Sequence, residues 1–132
     1  VATLKHEYVA SGYEDRDPMV PHGIAVVINA PSAFRFTAPV NPERHLAAAE
    51  AMGADIRDGS NEAAGDILAG AFIDLMRGTG LPNGLVDLGY DETHIPALAK
   101  GAFAQQRPLV MAPRDVSEAD LAEIYRGAMR YW

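Results

Sequence analysis

The chain has 132 residues, 48% of them hydrophobic and 22% charged, which gives room for one packed domain and excludes wholesale disorder. Eleven basic residues against eighteen acidic ones leave a net charge of −7. That charge repels phosphate backbones and anionic lipid, so it argues against a nucleic-acid or membrane-surface partner. With no cysteine there is no disulfide and no thiolate metal site; any metal must take N or O ligands.

No apolar run approaches the roughly eighteen residues that a membrane helix needs, and residues 1–21 are too polar for a signal peptide, so a cytoplasmic location is expected. The chain starts at Val1 rather than Met, and an aperiodic stretch runs abruptly into a very apolar one. A piece of a longer protein is the expectation.

Beyond residue 21 the hydrophobic period is near 3.6 throughout, and β-branched alternation is missing. This predicts an all-α protein, a single partial helical domain over 1–132 with an irregular leading segment 1–21 and five or six helices but no sheet over 22–132. Residues 23–28 are apolar all round, so as a helix they must be central, with Pro31 bending it. Without the rest of its domain this helix should leave apolar surface that seeks a partner, and a homo-oligomer such as a dimer is expected. Asn41 and Pro42 form a cap and first-turn pair for a helix that ends before Gly53. Residues 61–77 carry Ala63, Ala64, Ile67, Leu68, Ala71, Phe72 and Leu75 on one face, with Gly78 as the left-handed stop.

The turn-rich stretch 78–91 has room for a short helix at 85–88. Asp91 caps another helix with Ile95, Leu98, Ala99 and Phe103 facing inward. Residues 105–115, with Pro108 and Pro113, cannot be one continuous helix and read as an ordered loop. Ser117 and Asp120 form a capping box, and Leu121, Ile124, Tyr125, Ala128 and Trp132 continue as a stripe.

Most candidate motifs have plain readings. Gly78, Gly80 and Gly84 follow a helix instead of a strand and are spaced one residue too widely for a dinucleotide fingerprint. His6-Glu7 begins a zincin-like pattern, but Ala10 stands where the second ligand belongs, so His6 is left unassigned. Glu14, Asp15 and Asp17 lack the glycine and terminal Glu of a calcium loop and read as a solvated acidic turn. His45 and His94 fall in polar first turns, where histidine is usually exposed. His22 differs, because it stands between Pro21 and Gly23 at the door of the most apolar helix. Its residue type leaves two roles open, a helix-terminal hydrogen bond or a ligand or catalytic group. One histidine alone is not a metal site.

Pro21-His22-Gly23-Ile24-Ala25-Val26-Val27-Ile28-Asn29-Ala30-Pro31, closing with Phe34-Arg35-Phe36, resembles the last metal-binding segment of the iron-containing alcohol dehydrogenase family. The likeness continues through Gly53-Ala54-Asp55, Ile95-Pro96-Ala97-Leu98 and Ser117-Glu118-Ala119-Asp120-Leu121. Pro42-Glu43-Arg44-His45-Leu46, Lys100-Gly101 and Gln105-Gln106-Arg107 are most similar to the hydroxyacid-oxoacid transhydrogenase branch.

The resemblance implies the latter part of a C-terminal helical domain whose N-terminal nucleotide-binding domain is missing here. It implies a divalent metal, Fe2+ or Zn2+, with His22 as its final ligand, and NAD(H) as hydride carrier. The remaining ligands and the pyrophosphate loop would precede Val1, so the isolated chain should be inactive. The substrate implied is a hydroxy acid and oxo acid pair, with Arg107 as a carboxylate partner. Simple alcohols or unsaturated oxo acids are the alternative substrates, and a non-catalytic helical scaffold is the reading from another class.

Overall fold

The computed structural model describes residues 7–132, and among these it contains helices and turns but no strand. Six α-helices follow one another: α1 (His22–Thr37), α2 (Pro42–Ala51), α3 (Ala64–Gly78), α4 (Ile95–Phe103), α5 (Gln106–Leu109) and α6 (Glu118–Gly127). Short 3₁₀ turns at Ala38–Val40, Val86–Leu88 and Glu92–His94 connect them. The all-α expectation holds, and residues 7–21 are irregular.

α3 packs against both α1 and α2, while α4 pairs with α6, which also reaches α1. Between these layers Val20, Ile28, Met76, Leu85, Leu88 and Ile95 lose essentially all contact with solvent. These six side chains come one each from α1, α3 and α4, one from the segment before α1 and two from the turn that follows α3, so removing α1, α3 or α4 opens the core.

Helix ends follow local chemistry. The Asn41 side chain accepts from the Arg44 N–H at 3.2 Å and opens α2. Ser117 and Asp120 complete the expected capping box of α6, each bonding the other's backbone N–H at 2.8–3.1 Å. At the end of α3 the left-handed residue is Gly80 (φ +71°) rather than Gly78, which stays helical. There the Leu81 N–H reaches the Met76 carbonyl at 2.9 Å and the Gly80 N–H reaches Arg77 at 3.3 Å, the paired bonds of a Schellman ending.

Several packing expectations are corrected. On α3 the buried face runs through Ala64, Gly65, Leu68, Ala69 and Met76, leaving Leu75 outside at 54% exposure. The Schellman ending explains this: it brings Leu81 back over the Met76 turn, so the inward side of the last turn is the one Met76 occupies. α1 is not central all round, because Val26 is 53% exposed while Ile28 is buried. Phe103 lies at the end of α4 where the chain turns away, and it is partly exposed. Within 105–115 the chain makes one helical turn, α5, which Pro108 permits because the first turn of a helix needs no N–H donor.

The largest difference concerns the C-terminus. α6 stops at Gly127, and residues 128–132 leave the helix to lie against the turn after α3. There the Leu85 N–H donates to the Ala128 carbonyl at 2.9 Å and the Val86 N–H to Met129 at 3.1 Å. Buried Asn83 completes the clasp: its Oδ1 accepts from the backbone N–H of Tyr131 (2.8 Å) and of Trp132 (3.0 Å), and its Nδ2 donates to the Trp132 carbonyl. Trp132 thus belongs to a returning tail, because tertiary hydrogen bonds outcompete another helical turn.

Gly84 sits where the two segments touch, with φ +77°, and a Cβ there would lie 2.4 Å from the Met129 carbonyl oxygen. Gly12 has a similar φ of +82° but open space around it. Gly84→Ala should therefore cost at least about 3 kcal/mol, and Gly12→Ala only about 1 kcal/mol, in urea unfolding. Equal losses would show that the clasp tolerates being pushed apart.

Burial pushes the Tyr131 hydroxyl up to about 12, against an ordinary value of 10.0. The folded state thus holds this proton more tightly than the unfolded one. The associated stability is complete below pH 10 and is lost as pH rises through 12. Tyr131→Phe should flatten the fall of the unfolding midpoint over that interval.

Candidate functional site

Pro21, with φ −54° and ψ 140°, points the chain into α1 and its carbonyl accepts the Ala25 N–H at 3.0 Å, so His22 becomes the first helical residue. Its side chain is exposed. Helical spacing places Val26 and Asn29 on the same face as His22, one and two turns further along. Asn29 is turned back on the helix, its Nδ2 donating to the Ala25 carbonyl at 2.7 Å, while its Oδ1 is buried with no hydrogen-bond partner among the described residues.

Among the described residues no group of three or more His, Asp or Glu side chains is placed to hold a metal ion. His22 fits the part of a single ligand: an exposed imidazole nitrogen at the start of a helix, with no hydrogen bond to another described residue. A complete set would need donors from outside the described chain. His6 lies outside the described residues. Glu14 lies in an exposed turn, its carboxylate accepting the Gly12 N–H at 2.8 Å, and that bond holds its pKa below the ordinary value.

The two other histidines are engaged, not merely exposed. His45 is half-buried, with Nδ1 2.8 Å from the Asn41 carbonyl and Nε2 2.9 Å from the Thr37 hydroxyl. Because a carbonyl only accepts, Nδ1 carries the proton and the ring ties α2 to the end of α1. His94 joins the cap of its helix, its Nδ1 accepting from the Asp91 N–H at 3.2 Å. Thr93, through its hydroxyl and its backbone N–H, holds the Asp91 carboxyl below the ordinary range.

Arg107 stands exposed on α5, and no hydrogen bond or ion pair joins it to His22. The loop is fastened by Arg114 instead, whose Nη1 donates to the Phe36 carbonyl at 3.1 Å while its guanidinium lies 4.2 Å from the Phe36 ring. Phe36 is about 21 Å along α1 from His22 at 1.5 Å per residue. A cleft of about 470 Å³, lined by Arg35, Pro39, Pro42, Glu62 and Asp66, also lies at that far end, and the Arg35–Asp66 ion pair (2.6 Å) sits in it. Both members of the pair are well exposed, so it adds no more than about 1 kcal/mol. Arg114, Tyr131 and Asn83 escape a reading of the sequence because their partners lie between 48 and 103 residues away.

Residues 18–129 match the model of the Fe-containing alcohol dehydrogenase family, C-terminal part. The rat mitochondrial hydroxyacid-oxoacid transhydrogenase is 39% identical over all of this chain, which covers 28% of that protein. A probable mitochondrial hydroxyacid-oxoacid transhydrogenase of Dictyostelium discoideum is 38% identical over 98% of the chain, covering 24% of the relative. Among solved structures, a 1,3-propanediol oxidoreductase superposes with a TM-score of 0.74 and 33% identity over 83% of this chain and 28% of its own. The chain thus spans about a quarter of the length of the relatives it matches.

The expected cytoplasmic location is corrected, since these transhydrogenases are mitochondrial. An organelle address is read from a leader and not from a packed helical segment, so the polarity of residues 1–21 carried no information on it. No described helix is long and apolar enough to cross a membrane. With the family model covering most of its length, the chain belongs to the Fe-containing alcohol dehydrogenase family, of which it forms C-terminal helical structure.

Proposed function

We propose that the protein carrying this chain is a metal- and NAD(H)-using oxidoreductase that interconverts a hydroxy acid and an oxo acid, with His22 as one metal ligand. The observation that carries this reading is an exposed imidazole at the first residue of α1, in a chain that aligns over its whole length with transhydrogenases of that name. When bound, a divalent cation supplies Lewis acidity to a hydroxyl or carbonyl oxygen, and a nicotinamide takes up or returns the hydride.

The task of this chain is to present one nitrogen donor at the start of a helix. His22 is fixed at its root by Pro21 and by the helix behind it, and Ile28 anchors that helix in the core. The described residues supply no further ligand set, so the isolated chain should show no nicotinamide-coupled turnover of hydroxybutyrate. Arg107 is the candidate for reading the acid, because its planar fork matches a carboxylate with two charge-assisted hydrogen bonds. A second reading, a dehydrogenase of uncharged alcohols, draws on the 33% identity with the 1,3-propanediol oxidoreductase.

In the full-length protein, His22→Ala should lower the metal content per subunit at least tenfold, as measured by mass spectrometry. Stoichiometric metal in that variant would return His22 to a structural role. Arg107→Ala should cost about 2–5 kcal/mol in kcat/KM for a hydroxy acid, the range for a charge pair that substrate binding buries, and far less for a neutral alcohol of similar length. An equal loss on both substrates would assign Arg107 to support of its loop.

A further inference from the structure

α1 carries His22 at one end and packs its other end firmly, yet its backbone ladder is broken between them. Pro31 has no N–H, so the Val27 carbonyl loses its intrahelical donor at that point. Beyond the break, Phe34 stacks on Phe72 of α3 at 5.0 Å, and Ser32 lies where a Cβ on Gly127 of α6 would come within 2.5 Å of its hydroxyl. Before the break the grip is weaker: Ile28 is buried, but Ile24, Ala25 and Val27 are only half-buried, and Gly23 and Val26 are exposed.

At the break stands a side chain from the far end of the sequence. The Tyr131 hydroxyl donates to the Ile28 carbonyl at 2.7 Å. The phenol thus meets the carbonyl of the helical rung next to the missing one, a place where a bonded side chain sets the angle of a helix. Because burial raises its pKa to about 12, the hydroxyl keeps its proton at any physiological pH. The Tyr131 backbone is mounted on the turn after α3. Asn83 Oδ1 holds the Tyr131 and Trp132 N–H groups, and the Asn83 N–H is in turn bonded to Asp87 Oδ2 at 2.8 Å.

We propose that Tyr131 is a positioning residue for His22, bracing the proline-broken helix so that the imidazole is held at one place. This inference rests on the reading of His22 as a metal ligand. The lever is short but sufficient. His22 lies about 9 Å along the axis from Ile28, so a ten-degree tilt there moves the imidazole by about 1.5 Å. Metal–nitrogen distances tolerate roughly 0.2 Å.

The test uses the full-length protein with Tyr131→Phe, which removes one oxygen, and Tyr125→Phe, another partly buried tyrosine, as control. Amide hydrogen exchange should quicken several-fold at residues 24–30 in Tyr131→Phe while α3 is unchanged. Zn2+ titrated into the metal-free protein should bind about three- to tenfold more weakly, with Tyr125→Phe like wild type. Unchanged exchange at 24–30, or faster exchange spread evenly over α3 as well, would overturn the brace. Unchanged Zn2+ affinity in Tyr131→Phe beside weakened affinity in His22→Ala would overturn the positioning role alone. If His22→Ala itself binds Zn2+ as tightly as wild type, the ligand assignment fails and the positioning role falls with it.

Discussion

The hydrogen bonds of the Asn83 side chain to the last two residues hold the structure's two ends of information together. One amide, buried in the turn after α3, satisfies two backbone donors and one backbone acceptor of the C-terminal tail. Removing it would leave those groups unpaired beside an apolar core, which costs far more than the net value of the bonds themselves. Through this clasp the tail can bring Met129 into the core and the Tyr131 phenol onto α1. Gly84 serves the same junction by letting two backbones approach more closely than any side chain allows.

The clasp also explains why α1 can be long, apolar and interrupted by proline without losing its course. Its C-terminal half is gripped by α3 and α6 and is tied to neighbouring segments by His45 and Arg114. Its N-terminal half depends on Ile28 in the core and on the phenol beside it. The exposed end bearing His22 is therefore the less supported end. That arrangement leaves the position of His22 to a few contacts behind the helix.

The chain covers about a quarter of the length of its relatives. What it contributes is a donor on a helix and an exposed cationic loop, with the loop's Arg114 end docked about 21 Å away along α1. The cleft at that far end contains its own ion pair, Arg35 with Asp66, and no link to His22. His22 and the loop bearing Arg107 thus stand on separate elements of the fold.

Local chemistry determined by itself the helical class, the caps at Asn41, Asp91 and Ser117, the end of α2 before Gly53, and the singular position of His22. Each of these depends on residues within about four positions of one another, where spacing alone dictates which groups can meet. Tertiary structure decided what spacing cannot: that Met76 rather than Leu75 turns inward, that α6 stops at Gly127, and that the histidines at 45 and 94 are working hydrogen-bond partners. It also chose Asn83 and Tyr131, whose partners are 48 to 103 residues distant. Those pairings form because a buried polar group left unpaired is costly, so the interior bonds most of them with whatever the topology places within reach.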